Sequence, residues 1–172
     1  MSASKPNSQL AARKSNGFQP EERGVQQRLK LRANDADDLA VFSTVLQDAV
    51  IPGDEMTYLP NEGRFVLVAN RFRWEDSDGD PVPGRIYERV HCGLVIDAVR
   101  GVKSRGIDGF AKDRILSLLA IEHREGEIHL VFSGGAAIRL MVDRILCHLE
   151  DVTEPYPTRL RPNHALDEST RR

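Results

Sequence analysis

Pairs of cations two residues apart on strand-like segments are the side chains of this chain best suited to chemistry. Arg71 and Arg73 lie in the segment Arg64–Trp74; Lys103 ends a second strand-rich run and Arg105 stands just beyond it. Residues i and i+2 of a strand face the same side. Each pair therefore presents two positive charges in one direction. If the two faces adjoin, the four residues make a basic surface that holds a phosphate or a carboxylate, the guanidiniums bidentately. The competing reading is a solvent-facing side balanced by Glu75, Glu88 and Asp97.

Acid/base chemistry is the second option. His91, His123, His129, His148 and His164 show no HxxxH or HExxH spacing, and neither Cys92 nor Cys147 has a CxxC partner. No local zinc framework follows, and no metal is expected. His123 and His129 flank the turn at Glu125–Glu127 and can meet across a hairpin. An enzyme reading would thus assemble its acids and bases from His91, His123, His129 and Glu122. Asp76, Asp78 and Asp80 alternate as calcium ligands do, but Pro81 and Tyr87 stand where an EF-hand needs Gly and Glu. Ser133 precedes Gly134-Gly135 without a nucleophile elbow, so it reads as a hairpin residue. There is no phosphate-binding glycine loop and no dinucleotide fingerprint, and no cofactor is expected.

Composition narrows the setting. The 172 residues are 40% hydrophobic and 29% charged, with a net charge of −2. Such a chain suits a single domain with a core of its own. No apolar run reaches the ~18 residues of a membrane span, and no secretory core segment follows the N-terminus. Two well-separated cysteines read as reduced, buried thiols, which points to the cytoplasm. The charge is segregated, with seven basic side chains and only Glu21 and Glu22 among residues 1–34. The overall acidity gives no field for nucleic acid, which is an unlikely partner.

These residues need elements to position them. Residues 1–27 are polar and basic, and predict a disordered tail. Residues 28–158 predict one folded α+β domain, and 159–172 a flexible C-terminal tail. Leu29–Arg32 reads as a short strand. A helix follows, capped by Asn34 or Asp35, with Leu39, Phe42, Val45, Leu46, Ala49 and Val50 on one face and Pro52-Gly53 as its stop. Met56–Leu59 and Arg64–Trp74 read as strands, 75–84 as a polar loop, and Ile86–Lys103 as strand bending near Gly93 or Gly101. Leu116–His123, Ile128–Phe132 and Ala137–Val142 form a meander. Asp143–Val152 has an aliphatic stripe and predicts a C-terminal helix, and 153–158 is extended. The expectation is an antiparallel β roll or partly open barrel of about seven strands with one N-terminal and one C-terminal helix. That order matches a pleckstrin-homology-like roll.

The passages LKLRANDADDLAVFSTVLQDAV, MTYLPNEGRFVLVANRFRWE, LSLLAIE and PTRLRP carry a resemblance. From Leu29 to about His164 the chain resembles an uncharacterised alphaproteobacterial family of small proteins, a domain of unknown function. The resemblance implies a bacterial cytoplasmic domain and supplies no catalytic residue. The combined reading is a non-enzymatic binding or regulatory module for a small anion or a protein partner. Self-association through a sheet edge is one form of it.

Overall fold

The computed structural model describes residues 27–77, 79, 82–107 and 113–162. Residues 1–26 of the expected basic tail, together with Asp78, Asp80 and His164, lie outside the described residues. Strand β1 (Lys30–Ala33) leads into helix α1 (Ala36–Val45). Then come β2 (Val50–Pro52), β3 (Met56–Leu59), β4 (Arg64–Phe72), β5 (Tyr87–Ile96) and β6 (Val99–Arg105). The remainder is β7 (Ile115–Arg124), β8 (Glu127–Phe132), β9 (Ala137–Val142), β10 (Cys147–Asp151) and β11 (Tyr156–Thr158). The strands form one antiparallel sheet in the order β1-β10-β5-β4-β2-β7-β8-β9-β6, with β11 beside β5 and β3 beside β4.

The sheet has two halves joined by a bend. β5 runs through Asp97 and Ala98 into β6, and Ala98 adopts φ 58°. That left-handed residue redirects the strand from the β4–β5–β10 half to the β7–β8–β9–β6 half. Asp97 N–H donates to Leu146 O, and Asp143 N–H donates to Ala98 O, fixing the corner. One apolar core unites the halves: Phe65, Leu67 and Leu94 from one, Leu130, Phe132 and Leu140 from the other. The alternation of β8 and β9 explains this, since Ile128, Leu130, Phe132, Ile138, Leu140 and Val142 are buried while the residues between them are less covered. At the β7–β8 turn Glu125 and Gly126 both have positive φ, the tight hairpin geometry expected there.

Helix α1 forms as its sequence predicts and ends sooner. Asp35 caps it, accepting from Asp38 N–H at 2.8 Å. Leu39 and Phe42 are buried. After Leu46 the chain turns at Asp48, φ 60°, and pairs with β7: Asp48 N–H donates to Leu118 O, and Leu118 N–H donates to Ala49 O. Ala49 and Val50 therefore leave the helical face, and Val50 opens β2. Ser43 on α1 accepts from Ile121 N–H at 2.8 Å, beside the β7 register shift between Leu118 and Ala120.

The expected architecture needs correction in two respects. The described residues contain eleven strands rather than about seven, and α1 is their sole α-helix. Half of the segment predicted as a C-terminal helix, Asp143–Val152, is strand β10 and none of it is helical, so among the described residues no C-terminal helix plugs a pleckstrin-homology-like roll. Its buried set is Cys147, Leu149 and Asp151, alternating with exposed His148 and Glu150. Leu, Arg and Glu favour helix locally. Pairing with β1 on one side and β5 on the other overrides that preference. The strand period was hidden because Asp151, a charged residue, occupies its third inward position. The run 86–103 splits in two at Asp97-Ala98, and the irregularity expected near Gly101 is a register shift between Val99 and Gly101 within β6.

Candidate functional site

The four cations expected to form one surface sit in different halves of the sheet. β4 carries Arg71 and leads into Arg73; β6 carries Lys103 and Arg105. β2, β7, β8 and β9 lie between β4 and β6 in the sheet order. Where β6 does approach β4, through Val99 N–H donating to Gly63 O, it meets the end of β4 opposite Arg71.

Arg71 is fully buried, at 0% exposure. Its Nε and Nη2 donate to the two oxygens of Asp151, both at 2.8 Å. Nη1 and Nη2 donate to Glu75 at 3.1 and 2.8 Å. Asp151 also accepts from Leu29 N–H at 3.1 Å, tying down the segment that leads into β1. Burial works against the Arg71 charge, but its hydrogen bonds to Asp151 and Glu75, with their negative charges, outweigh it and hold the guanidinium above its ordinary value. Burial likewise tends to raise Glu75, and the Arg71 hydrogen bond, a backbone hydrogen bond and the charges of Arg71 and Arg73 together overcome this to leave Glu75 below its ordinary 4.5. Arg73 donates to Glu88 and lies 2.8 Å from Asp76 and 3.6 Å from Glu75. Glu75 and Glu88 thus balance these arginines from the rim of the fold, Glu75 exposed and Glu88 half-buried, while the guanidinium of Arg71 is fully covered. The Asp151 partnership was hidden by the helix reading of its segment.

The second half carries a different arrangement. The register places Lys103 opposite Arg139, Arg139 opposite His129, and His129 opposite Glu122. Directly opposed residues share a sheet face. These four therefore make one row across β6, β9, β8 and β7, about 14 Å long at ~4.8 Å per strand. The row lines a cavity of about 700 Å³ together with Arg105 and Arg124, with Val131 and Ala137 among the walls. Four cations and one carboxylate, Glu122, face this space.

The carboxylates here are unevenly distributed. Arg124 pairs with Glu122. Glu127, just outside the cavity, takes His129 Nε2 at 2.8 Å and Arg139 at 3.6 Å. Lys103 and Arg105 are exposed and have no ion pair among the described residues. Arg124 and Arg139 were not anticipated from the sequence. The β8–β9 hairpin implies the Arg139–His129 pairing, because a short turn fixes register. The Lys103–Arg139 pairing joins distant segments and leaves no local signal.

The acid/base set divides as well. His129 and Glu122 line the cavity, whereas His123 does not and His91 lies in the other half, stacked on Tyr156 at 5.4 Å. Among the described residues no three His, Cys, Asp or Glu side chains gather to hold a metal. Of the calcium-like loop, Asp76 is spent on Arg73. Ser133 sits in the β8–β9 turn, where Gly134 and Gly135 have φ 72° and 76°.

A further cavity of about 730 Å³ lies between 82–87 and 159–162. Its Arg85 and Arg161 donate to main-chain carbonyls of Asp76 and Gly79 and lie over the Tyr87 ring. No helix among the described residues is long and apolar enough to cross a membrane.

No curated protein and no solved structure shows significant similarity to the chain. A family model described as "Protein of unknown function (DUF2948)" matches residues 29–164, and the chain belongs to that family.

Proposed function

We propose that the protein is a non-enzymatic binding module that holds a small anion on the outer face of β6–β9. The observation that carries this reading is the cavity lined by Lys103, Arg105, Arg124 and Arg139 against the single carboxylate of Glu122. Lys103 and Arg105 lack carboxylate partners among the described residues, so their donors remain for a ligand. Arg71 and Arg73, the other half of the expected surface, drop out because their donors meet Asp151, Glu75, Asp76 and Glu88.

Two free buried cysteines suit a reducing compartment, and cytoplasmic action is part of the proposal. Burial pushes both thiols up to about 12, which removes them as nucleophiles. A protein partner would be served by the same basic face if it presented a phosphorylated or acidic segment.

Titration calorimetry with inorganic phosphate and with succinate tests the reading. Saturable binding to the wild type, weakened at least about tenfold in Lys103→Ala/Arg105→Ala, is expected from the loss of charge-assisted hydrogen bonds. Equal binding by the two proteins, or none by either, would overturn it.

A further inference from the structure

The anion cavity is lopsided, and its two ends call for different chemistry. At the β6–β9 end Lys103, Arg105 and Arg139 supply positive charge. The first two have no ion pair among the described residues, and Arg139 stands 3.6 Å from its nearest carboxylate, Glu127. Lys103 and Arg105 alternate along β6 on one face, and Arg139 is directly across from Lys103. Three cations converging from two adjacent strands match the oxygens of one phosphoryl group, which presents acceptors in several directions.

The β7–β8 end is mixed instead. Glu122 accepts from Arg124 and stands opposite His129, whose Nε2 meets Glu127 at 2.8 Å. A carboxylate offers two oxygens and about four lone-pair positions, and one guanidinium contact leaves several unused. Arg124 and His129 supply donors next to those acceptors. Neighbouring donors and acceptors with little net charge suit hydroxyl groups, each of which both donates and accepts. A second phosphate is disfavoured there by Glu122 and Glu127.

Between the ends, Val131 and Ala137 pair across β8 and β9 and line the cavity. These short apolar side chains leave room for a carbon skeleton to lie against the sheet. The row of about 14 Å and the volume of about 700 Å³ exceed what a lone phosphate needs, and suit a small organic molecule.

Resting on the anion-binding reading, we propose that the ligand is a phosphomonoester of a polyhydroxylated carbon chain or ring. Its phosphate sits at Lys103, Arg105 and Arg139, and its hydroxyls are read by Glu122, Arg124 and His129. The carboxylate of Glu122 is the selective element, because it accepts from a hydroxyl and repels further anionic charge.

Calorimetry on the whole protein with ribose 5-phosphate, glucose 6-phosphate, methyl phosphate, inorganic phosphate and unphosphorylated ribose separates the terms. At least one sugar phosphate is expected to bind about tenfold or more tightly than methyl phosphate, and ribose not measurably. Glu122→Gln is expected to bring the sugar phosphate to methyl phosphate ratio close to one, with an unchanged melting temperature showing that it folds. Sugar phosphates binding no better than methyl phosphate would overturn this inference while leaving the anion site standing. Ribose binding as tightly as its phosphate would overturn the phosphate anchor, and failure of every anion would overturn both.

Discussion

Arg71 and Lys103 are both cations on antiparallel strands of one sheet, each two residues from a second cation, and their surroundings are opposite. Arg71 is fully covered between Asp151 and Glu75, and Asp151 also ties β10 to Leu29 before β1. Lys103 is exposed, faces Arg139, and has no carboxylate of its own among the described residues. Type and spacing are the same in the two places. The placement of carboxylates separates a charge that holds the fold from one left for a ligand.

The largest expected effect lies in the buried half. Asp151→Ala removes the buried one of the two carboxylates that hold Arg71 and leaves only the more exposed Glu75, and breaking a buried ion pair costs up to about 3–5 kcal/mol. Urea unfolding should show that loss. Asp151→Leu with Arg71→Met should recover much of it, since removing both charges also removes the desolvation penalty. A loss under about 1 kcal/mol in Asp151→Ala would place the pair among weak surface bridges.

The exposed half should respond the other way. Lys103→Ala/Arg105→Ala is expected to shift stability by no more than about 0.5 kcal/mol, as for surface substitutions away from packed features. Its anion affinity should fall about ten- to hundredfold, or 1.4–2.8 kcal/mol. A variant that loses stability and affinity together would erase the contrast.

Acid provides a smaller test. Glu75 titrates below its ordinary 4.5 in the folded protein. A depressed carboxyl contributes stability that is present above its unfolded value and lost as pH falls through the folded one. The stability difference between wild type and Glu75→Gln should therefore be constant from pH 7 to about 5 and shrink below 4.5. Urea midpoints across that range check it, and a difference that grew on acidification would contradict the assigned pairing.

Much of this was legible in the sequence, and what was not has a common cause. The meander, its glycine turns and the capped start of α1 depend on neighbours close in the chain, and their patterns were readable. β10 was not, because its strand identity comes from β1 and β5, more than 50 residues from it in sequence, and its inward Asp151 breaks the apolar alternation. Of the site, Lys103 and Arg105 are recognisable by type as anion-binding cations, and His129 and Glu122 as acid/base groups. That they share one cavity with Arg139 follows from β6 pairing with β9, a long-range contact without a local pattern. The same holds for Arg71, whose spacing resembled a binding pair until Asp151 came beside it.

The most direct test of the division between folding charges and binding charges is an amide NMR titration of the protein with phosphate. Shift changes should concentrate on β6 and β9 around Lys103, Arg105 and Arg139, leaving Arg71, Arg73 and Asp151 unmoved. Changes centred on Arg71 and Asp151, or spread evenly over every exposed cation, would contradict it.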